Sequence, residues 1–398
     1  MAGARDIPVR ANHIEDTMQL RIARLNVLVS VLATFACTSP GEGKVAYVGM
    51  ELWDGTGAPV IHDAVMIVAA GRIEAAGPPD LVKVPRGASE VRLDGRWVIP
   101  GLVDAHAHVR SGTAGRWLAA GVTSVRDLGG PQSDVVALRD ATNTGEVDGP
   151  RLFISGAPVD GLPPTWPFAT TVRLEGEARR AVGDRVLLDV NQIAVGPRLD
   201  RRLLEVLLDE ARALETPVAV ELGAIDAATA ARLGVQSIEL LTGLPDWPSP
   251  DSIAAERMAE LLVNAGVRQV PGLLRRGGAP GTQAAQDQFL RRFRARGGLV
   301  ATGTDAGLGD AEPGTSLHQE LLLLVAAGFS SEQALLAATR DGARLLGADS
   351  LGTLVAGRLA DFVVLLADPL ADIVHVARVE SVIVGGRVYD PATIGRTE

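Results

Sequence analysis

The most informative stretch of the chain runs Val98-Ile99-Pro100-Gly101-Leu102-Val103-Asp104-Ala105-His106-Ala107-His108, an apolar segment that ends in His-x-His. Residues two apart on a strand point to the same face, so a strand here would align the two imidazoles. At the carboxyl end of a barrel strand, two such imidazoles can bind one divalent metal. The chain has 6 histidines, and two of them fall at this spot. This concentration favours a metal site over two unrelated histidines.

Around this stretch, short apolar segments alternate with helical patterns between about residues 101 and 344. The predicted strands are 123–126, 152–155, 186–190, 218–221, 236–240, 269–271 and 299–302. Helical spacing of apolar residues separates most of them, as at 201–214 and 254–264. With the strand that ends at His106, the alternation gives about eight strands, the number of a closed barrel. The sequence therefore predicts an α/β fold with a (β/α)8 TIM barrel.

The two ends of the chain read as short strands. Residues 65–68 and 73–76 flank Gly71, and residues 379–384 and 387–389 flank a Gly-Gly pair, which are hairpin signals. Neither end has enough strands for a stable sheet alone, so we expect one small, discontinuous β-sandwich built from both. The predicted division is a leader and linker at 1–43, sandwich parts at 44–100 and 345–398, and a barrel domain at 101–344.

The leader has the pattern of an export signal. Arg21 and Arg24 precede an apolar run at 25–36, and Cys37 follows it. The run is short for a membrane span and long enough for a signal peptide. Cleavage before Cys37 would free it for a lipid, although Thr34 stands where lipoprotein signals usually have Leu. We expect an exported protein, periplasmic, secreted or lipid-anchored through Cys37; the alternative is a cytoplasmic protein with an N-terminal extension.

Composition narrows the partners. The formal net charge is −10 and aromatic residues make up 4% of the chain, which argues against a nucleic-acid partner. A single cysteine excludes a disulfide framework within the chain and a cysteine-rich zinc site. The composition is that of a globular protein.

A second candidate metal ligand, Asp305, follows the last predicted strand, within the run 301–307. A carboxylate there could ligate a metal and take a proton from its bound water. Taken alone, the position favours an N-cap or turn residue, which is common in loops between strands and helices.

These motifs resemble those of the amidohydrolase superfamily, specifically its imidazolonepropionase-like and prolidase-like branch. The matching segments are 52–57, 98–108, 121–130, 303–307, 337–339, 357–361 and 384–387, and the resemblance covers about residues 44–390. It implies the discontinuous sandwich, the barrel, and hydrolysis of a carbon–nitrogen or similar bond by metal-activated water.

Carried over position by position, the resemblance makes His106 and His108 the first metal ligands and Asp305 the metal-linked general base. The family usually places a lysine, often carbamylated to bridge two metals, at the end of the fourth strand. The matching position here is Leu187 or Leu188. Because a leucine cannot be carbamylated or ligate a metal, a two-metal site with a bridging carbamate is not expected.

Two further family positions differ. The fifth strand should end in His and ends in Glu221, and the sixth should offer a His where Leu240 stands. Catalytic zinc typically has three protein ligands and one open position, so one ion on the two histidines with Glu221 or Asp305 remains possible. A barrel-mouth carboxylate without metal is an equal interpretation of Glu221. Asp189 could replace a lost ligand if Leu187 faces inward.

Two functions stay open. The first is a hydrolase of carbon–nitrogen bonds other than ordinary peptide bonds, acting on small amides, cyclic amides or blocked peptides with one divalent ion, most simply zinc, and Asp305 as base. The second is a catalytically inactive protein with the amidohydrolase fold and a binding or structural role, which the lost ligand positions support. The first function requires a bound metal ion, and the second does not.

Overall fold

The computed structural model describes residues 41–244, 253–276 and 280–395. The expected signal segment and Cys37 lie outside the described residues. The first described part forms five strands: β1 (Lys44–Leu52), β2 (Ile61–Ala69), β3 (Arg72–Gly77), β4 (Ser89–Arg92) and β5 (Trp97–Pro100). β1, β2 and β3 pair in antiparallel order, and the predicted hairpin turns at Gly71, whose φ of 74° suits glycine. β4 and β5 both pair with β1 in parallel.

Nine more strands lie in the described residues of the middle of the chain. They are β6 (Leu102–Ala107), β7 (Val122–Asp127), β8 (Arg151–Ile154), β9 (Val159–Asp160), β10 (Thr170–Thr171), β11 (Ile193–Val195), β12 (Val218–Glu221), β13 (Ser237–Glu239) and β14 (Arg268–Val270). They form a three-stranded parallel sheet, β6-β7-β8, and a six-stranded parallel sheet, β10-β9-β11-β12-β13-β14.

A later segment bridges the two parallel sheets. Val300 pairs with Gln269 of β14, and Ala306 pairs with Ala107 of β6, both in parallel. This segment therefore has the place of the predicted last strand. The mixed α/β fold is confirmed, and complete closure of a (β/α)8 barrel stays a prediction.

Helices follow most of these strands. They are α1 (Ala114–Ala119), α2 (Gln132–Thr144), α3 (Glu175–Val186), α4 (Arg201–Ala213), α5 (Ala227–Leu233), α6 (Ile253–Asn264), α7 (Pro280–Ala295), α8 (Thr315–Ala326), α9 (Ser331–Ala337), α10 (Arg340–Leu345) and α11 (Pro391–Ile394). α4 shows why they form: Asp200 caps its first turn by accepting from the Leu203 N–H, and one apolar face that includes Leu204 and Leu207 is buried. Among the described residues, none of the helices is both long and apolar enough to cross a membrane.

The predicted strand at 186–190 is wrong. Its first residue ends α3, and Leu187 is the C-cap of that helix with 85% of its surface exposed. Asp189 is exposed in the following turn with a left-handed φ of 54°, so it does not replace a metal ligand. Buried Ala178, Ala181 and Val182 recur at helical spacing, and the helix continues from them into the short apolar run for which a strand was predicted.

The last three strands join the first five. They are β15 (Phe362–Leu365), β16 (Val379–Val384) and β17 (Arg387–Tyr389). β15 pairs with β5 in antiparallel order, which gives one eight-stranded sheet from both ends of the chain. Apolar side chains are buried on this sheet in two clusters, one around the edge-to-face rings of Tyr47 and Phe362 and one around Val48 and Ile67. The union of the chain ends is as expected, and a two-layered sandwich stays a prediction.

Candidate metal centre

β6 places two histidines at one end of the parallel strands. His106 lies in β6 and is fully buried, and His108 follows the strand and is 5% exposed. The carbonyl oxygen of His106 accepts hydrogen bonds from the N–H groups of Thr304 and Asp305, at 3.0 and 2.7 Å. This pairing brings Asp305 against both imidazoles. One side-chain ligand atom of each residue, His106, His108 and Asp305, lies within 4.8 Å of the others.

Each imidazole is oriented by its Nδ1 atom. Nδ1 of His106 lies 3.0 Å from Oε2 of Glu239, and Nδ1 of His108 lies 2.6 Å from the carbonyl oxygen of Gly129. Because a carboxylate and a carbonyl only accept, both Nδ1 atoms carry hydrogen and donate. In the neutral rings this leaves a lone pair on each Nε2 atom. Such an outer hydrogen bond is the usual device that orients a metal-binding histidine.

The inward-facing atoms fit a cation. Nε2 of His108 lies 3.0 Å from Oδ1 of Asp305, and Nε2 of His106 lies 3.7 Å from the same oxygen. Nε2 of His106 is buried and has no hydrogen-bond partner in the described structure. Three lone-pair atoms that converge in a buried place repel one another unless a proton or metal ion lies among them. The residues present therefore fit one divalent metal.

The electrostatics agree with this arrangement. Burial alone would lower the pKa of His106, but the hydrogen bond and charge of Glu239, together with Asp305 and Glu221, raise that pKa to about 9. The surroundings of this imidazole therefore favour positive charge. Burial would likewise raise the pKa of Asp305, but its contact with the imidazole of His108 and the charges of His106 and Arg275 lower it, so that residue is a carboxylate at neutral pH.

Glu239 has a role that the sequence interpretation missed. It lies in β13, is 1% exposed, and its Oε1 accepts hydrogen bonds from Arg126 at 2.6 Å and from the hydroxyl of Ser237 at 2.5 Å. Arg126 also donates to the carbonyl oxygen of Ala105 in β6. Burial raises the pKa of Glu239, but Arg126 and His106 outweigh it and lower that pKa. A buried ion pair between β7 and β13 thus supports the first histidine.

Asp305 is held by its backbone and by a second cation. Its φ of 54° is left-handed, and Nε of Arg275 lies 2.9 Å from its Oδ2. Arg275 ends a short 3-10 helix, Leu273–Arg275, just after β14. Gly307 follows in the same turn, where an added Cβ would lie 1.8 Å from the carbonyl oxygen of His108. Glycine is therefore required for this segment to approach β6.

Glu221 ends β12 at the same end of the parallel strands as the two histidines. Burial raises the pKa of its carboxyl to about 7, although the imidazoles of His106 and His108 oppose the shift. The residue is not part of the group of His106, His108 and Asp305 whose ligand atoms lie within 4.8 Å. The structure thus brings together three of the four expected ligands and leaves Glu221 beside them.

A hollow of about 900 Å³ opens next to His108. Its wall includes Arg110, the side chains of Trp166 and Phe168, and Leu308. The two aromatic rings are stacked with their centroids 6.5 Å apart. A largely apolar hollow beside convergent polar groups is the usual form of a small-molecule site.

Comparison with known proteins identifies the family. The model of the amidohydrolase family matches residues 97–389. The chain belongs to the amidohydrolase family. Imidazolonepropionase from Methylobacterium sp. (strain 4-46) is 27% identical over 86% of this chain and 94% of that relative. An uncharacterised protein from Mycobacterium tuberculosis (strain ATCC 25618 / H37Rv) is 28% identical over 77% and 89%.

Solved structures of amidohydrolase type share the fold. A putative prolidase from Bifidobacterium longum superposes with a TM-score of 0.75 at 25% identity, covering 88% of this chain and 95% of that one. Phenylurea hydrolase B superposes with a TM-score of 0.74 at 22% identity, covering 89% and 98%. The expected resemblance to imidazolonepropionases and prolidases is confirmed.

The two leucines expected at the lysine position do not lie on a strand. Leu187 and Leu188 follow helix α3 and do not belong to a barrel strand, so their assignment to the lysine position was wrong. The strand after α3 is β11, and its Ala194 packs against Leu128 and Ala219. Ala194 also lines a small cavity with Glu221 and Glu239. Alanine, like leucine, cannot carry a carbamate.

The sixth-strand difference is as expected from the sequence. Leu240 follows β13, is 7% exposed, and has a left-handed φ of 60°. Its side chain is hydrocarbon and cannot ligate a metal. The site of this amidohydrolase therefore combines the two histidines and the aspartate with the hydrocarbon side chains of Ala194 in β11 and Leu240 after β13.

Proposed function

We propose that this chain is a hydrolase of carbon–nitrogen bonds that works with one divalent metal, most simply zinc, on a (β/α)8 barrel. His106, His108 and Asp305 would hold the ion, which matches the three protein ligands and one open position of catalytic zinc sites. The observation that carries the proposal is the convergence of three lone-pair atoms, one of them the buried and unpartnered Nε2 of His106. The segments 44–100, 101–344 and 345–398 are the proposed domain parts.

A bound divalent ion supplies Lewis acidity to the scissile carbonyl and to the attacking water. The residues of the chain prepare the place for it. Glu239 and Gly129 hold the histidines in one tautomer, and His108 and His106, with Arg275, lower the pKa of Asp305 so that its carboxylate can accept a proton from water.

Glu221 is proposed as a proton carrier and not as a ligand. Its pKa of about 7 lies near the working range of a general acid or base, and it lies outside the group of ligand atoms. In this assignment Glu221 would give its own proton to the leaving nitrogen while Asp305 takes one from the attacking water, and exchange with solvent would then return both carboxyl groups to their starting states.

The proposed substrates are small amides, cyclic amides and blocked peptides. The hollow beside His108 supports this class because its 900 Å³ suits a small molecule and its wall is largely apolar. Relatives named imidazolonepropionase and prolidase point the same way. Export through the leader, with or without a lipid on Cys37, completes the proposal.

One observation favours a second function, a binding protein without catalysis. Arg275 pairs with Asp305 and satisfies that carboxylate without a metal. Ala194 and Leu240 add no ligands. In this case the hollow would bind a small molecule, and the two histidines would stay metal-free.

Metal content separates the two functions. Protein purified without chelator is analysed by inductively coupled plasma mass spectrometry beside His106→Ala and the control His62→Ala, whose side chain is 79% exposed on β2. We expect about one metal per chain in the wild type and the control, and none in His106→Ala, as a three-ligand site requires. A folded, metal-free wild type would exclude the catalytic proposal and favour the binding protein.

A further inference from the structure

A second cavity, of about 520 Å³, lies at the other end of the parallel strands. Leu299 lines it at the start of the segment that ends in Asp305, and five residues, 300–304, lie between the two. Its charged and aromatic wall consists of Arg291, Arg294, Arg340, Arg344, Asp341 and Phe329. None of the residues that line the cavity belongs to the candidate metal centre, so the two sites are distinct.

The charges of this wall are unequal. Asp341 is the one acid among its described lining residues, and three guanidinium groups share that carboxylate. Arg340 lies 3.0 Å from it, Arg294 lies 3.3 Å from it, and Arg344 lies 3.7 Å from it. A single carboxylate balances one of these charges, so the wall keeps a positive excess in a chain whose formal net charge is −10.

The fourth arginine is held by neutral groups. Arg291 donates to Oε1 of Gln288 and to the carbonyl oxygen of Ala327. A Cβ added at Gly328 would lie 2.9 Å from the Cδ of Arg291, so the glycine leaves the room that this side chain occupies. Its positive charge therefore adds to the excess on the wall.

Two more contacts shape the cavity for an anion. The guanidinium of Arg294 lies 5.6 Å from the ring centroid of Phe329, which holds it by a cation–π contact. Arg344 is 60% exposed and can turn toward a ligand, while Asp341 is 6% exposed and stays in the wall. Planar guanidinium groups match the oxygens of phosphate in paired hydrogen bonds.

We propose that this cavity binds a small anion that carries a phosphate group. The anion would contact Arg291, Arg294 and Arg344, and Asp341 would keep the guanidinium groups together against their mutual repulsion. The site is independent of the proposed hydrolysis because none of its residues belongs to the metal centre.

Isothermal titration calorimetry of the full chain with inorganic pyrophosphate at low ionic strength tests the site. The titration uses the His106→Ala background, because pyrophosphate can also bind metal. We expect one pyrophosphate per chain, with binding about tenfold weaker or more in Arg344→Gln and in Arg291→Gln, as the loss of one charge-assisted hydrogen bond implies. Arg201→Gln, an exposed arginine of α4 paired with Glu205, is the matched control and should bind like the parent.

Three results would overturn the proposal. They are no heat of binding in the parent, equal binding by Arg344→Gln and Arg201→Gln in chains with equal circular dichroism, and tighter binding of citrate than of pyrophosphate. The last result would assign the cavity to carboxylates and not to phosphate. Arg344 is exposed, so we expect its variant to fold, and Arg291→Gln gives a second, separate measurement.

Discussion

Glu239→Gln is expected to weaken the protein in two separate ways. The first concerns stability, because Glu239 and Arg126 are each 1% exposed and form an ion pair at 2.6 Å. Removing one charge of a buried pair leaves the other without compensation and typically costs about 3–5 kcal/mol. The glutamine can still accept from Arg126, so we expect a loss of about 3 kcal/mol, at the lower end of that range.

The second effect concerns metal affinity. In the variant, Arg126 still requires the amide oxygen, so the amide NH₂ faces Nδ1 of His106. That atom must then accept, which moves the hydrogen of His106 to Nε2 and removes the lone pair that faces Asp305. Loss of such an outer contact typically lowers metal affinity by about 10–100-fold, and we expect the zinc dissociation constant to rise by that factor.

Urea unfolding followed by circular dichroism measures the first effect, and zinc titration against a chromophoric chelator measures the second. Glu312→Gln is the control, because Glu312 is 70% exposed and pairs with Arg116 at 3.4 Å. Its stability should change by less than about 0.5 kcal/mol. A Glu239→Gln protein that loses stability but keeps wild-type zinc affinity would refute the tautomer argument. One that loses under about 1 kcal/mol would refute the ion-pair argument.

Other expectations concern the surroundings of the site. Arg275→Gln removes a charge that lowers the pKa of Asp305. As the pH is lowered, Asp305 of the variant should take up a proton earlier, so the variant should lose its zinc at a higher pH than the wild type. Equal zinc content of the two proteins at every pH contradicts the role of the ion pair. Burial raises the pKa of Glu320 from its ordinary 4.5 to about 8, so the folded protein keeps a proton that the unfolded chain releases, and stability falls as pH rises between these values. Urea unfolding at pH 6 and 8 should show that the free energy of unfolding falls less in Glu320→Gln than in the wild type, by about 1.4 kcal/mol per pH unit at most. An equal fall in both proteins would disprove the role of Glu320. Leu187→Lys should leave zinc content and stability within about 0.5 kcal/mol of wild type, because the side chain is 85% exposed; a second metal per chain would restore the original assignment.

Much of the site could be predicted from local sequence. His106 and His108 were placed correctly on one strand end because a long apolar run leads into them, and β12 and β13 lie where short apolar runs predicted strands. The position of Asp305 followed from the same pattern at the end of the last segment.

Two features could not be predicted from local pattern. The run at 186–190 is apolar and short, and such a run is compatible with a helix end as well as with a strand. The true strand, β11, has three residues and little signal of its own. The support that Glu239 receives from Arg126 joins residues 113 positions apart, and their partnership exists only after β7 and β13 come together.

The sheet built from both ends of the chain has a consequence for biosynthesis. β5 finds its neighbour β15 only after more than 250 residues of intervening sequence, and β16 and β17 follow later still. A ribosome that has made the whole metal centre has therefore not yet made the strand that covers β5. Until then an apolar strand edge is open to pairing with other chains, which is the usual start of aggregation. A nonsense codon between the last site residue and residue 362 should thus yield insoluble protein although every proposed ligand is present.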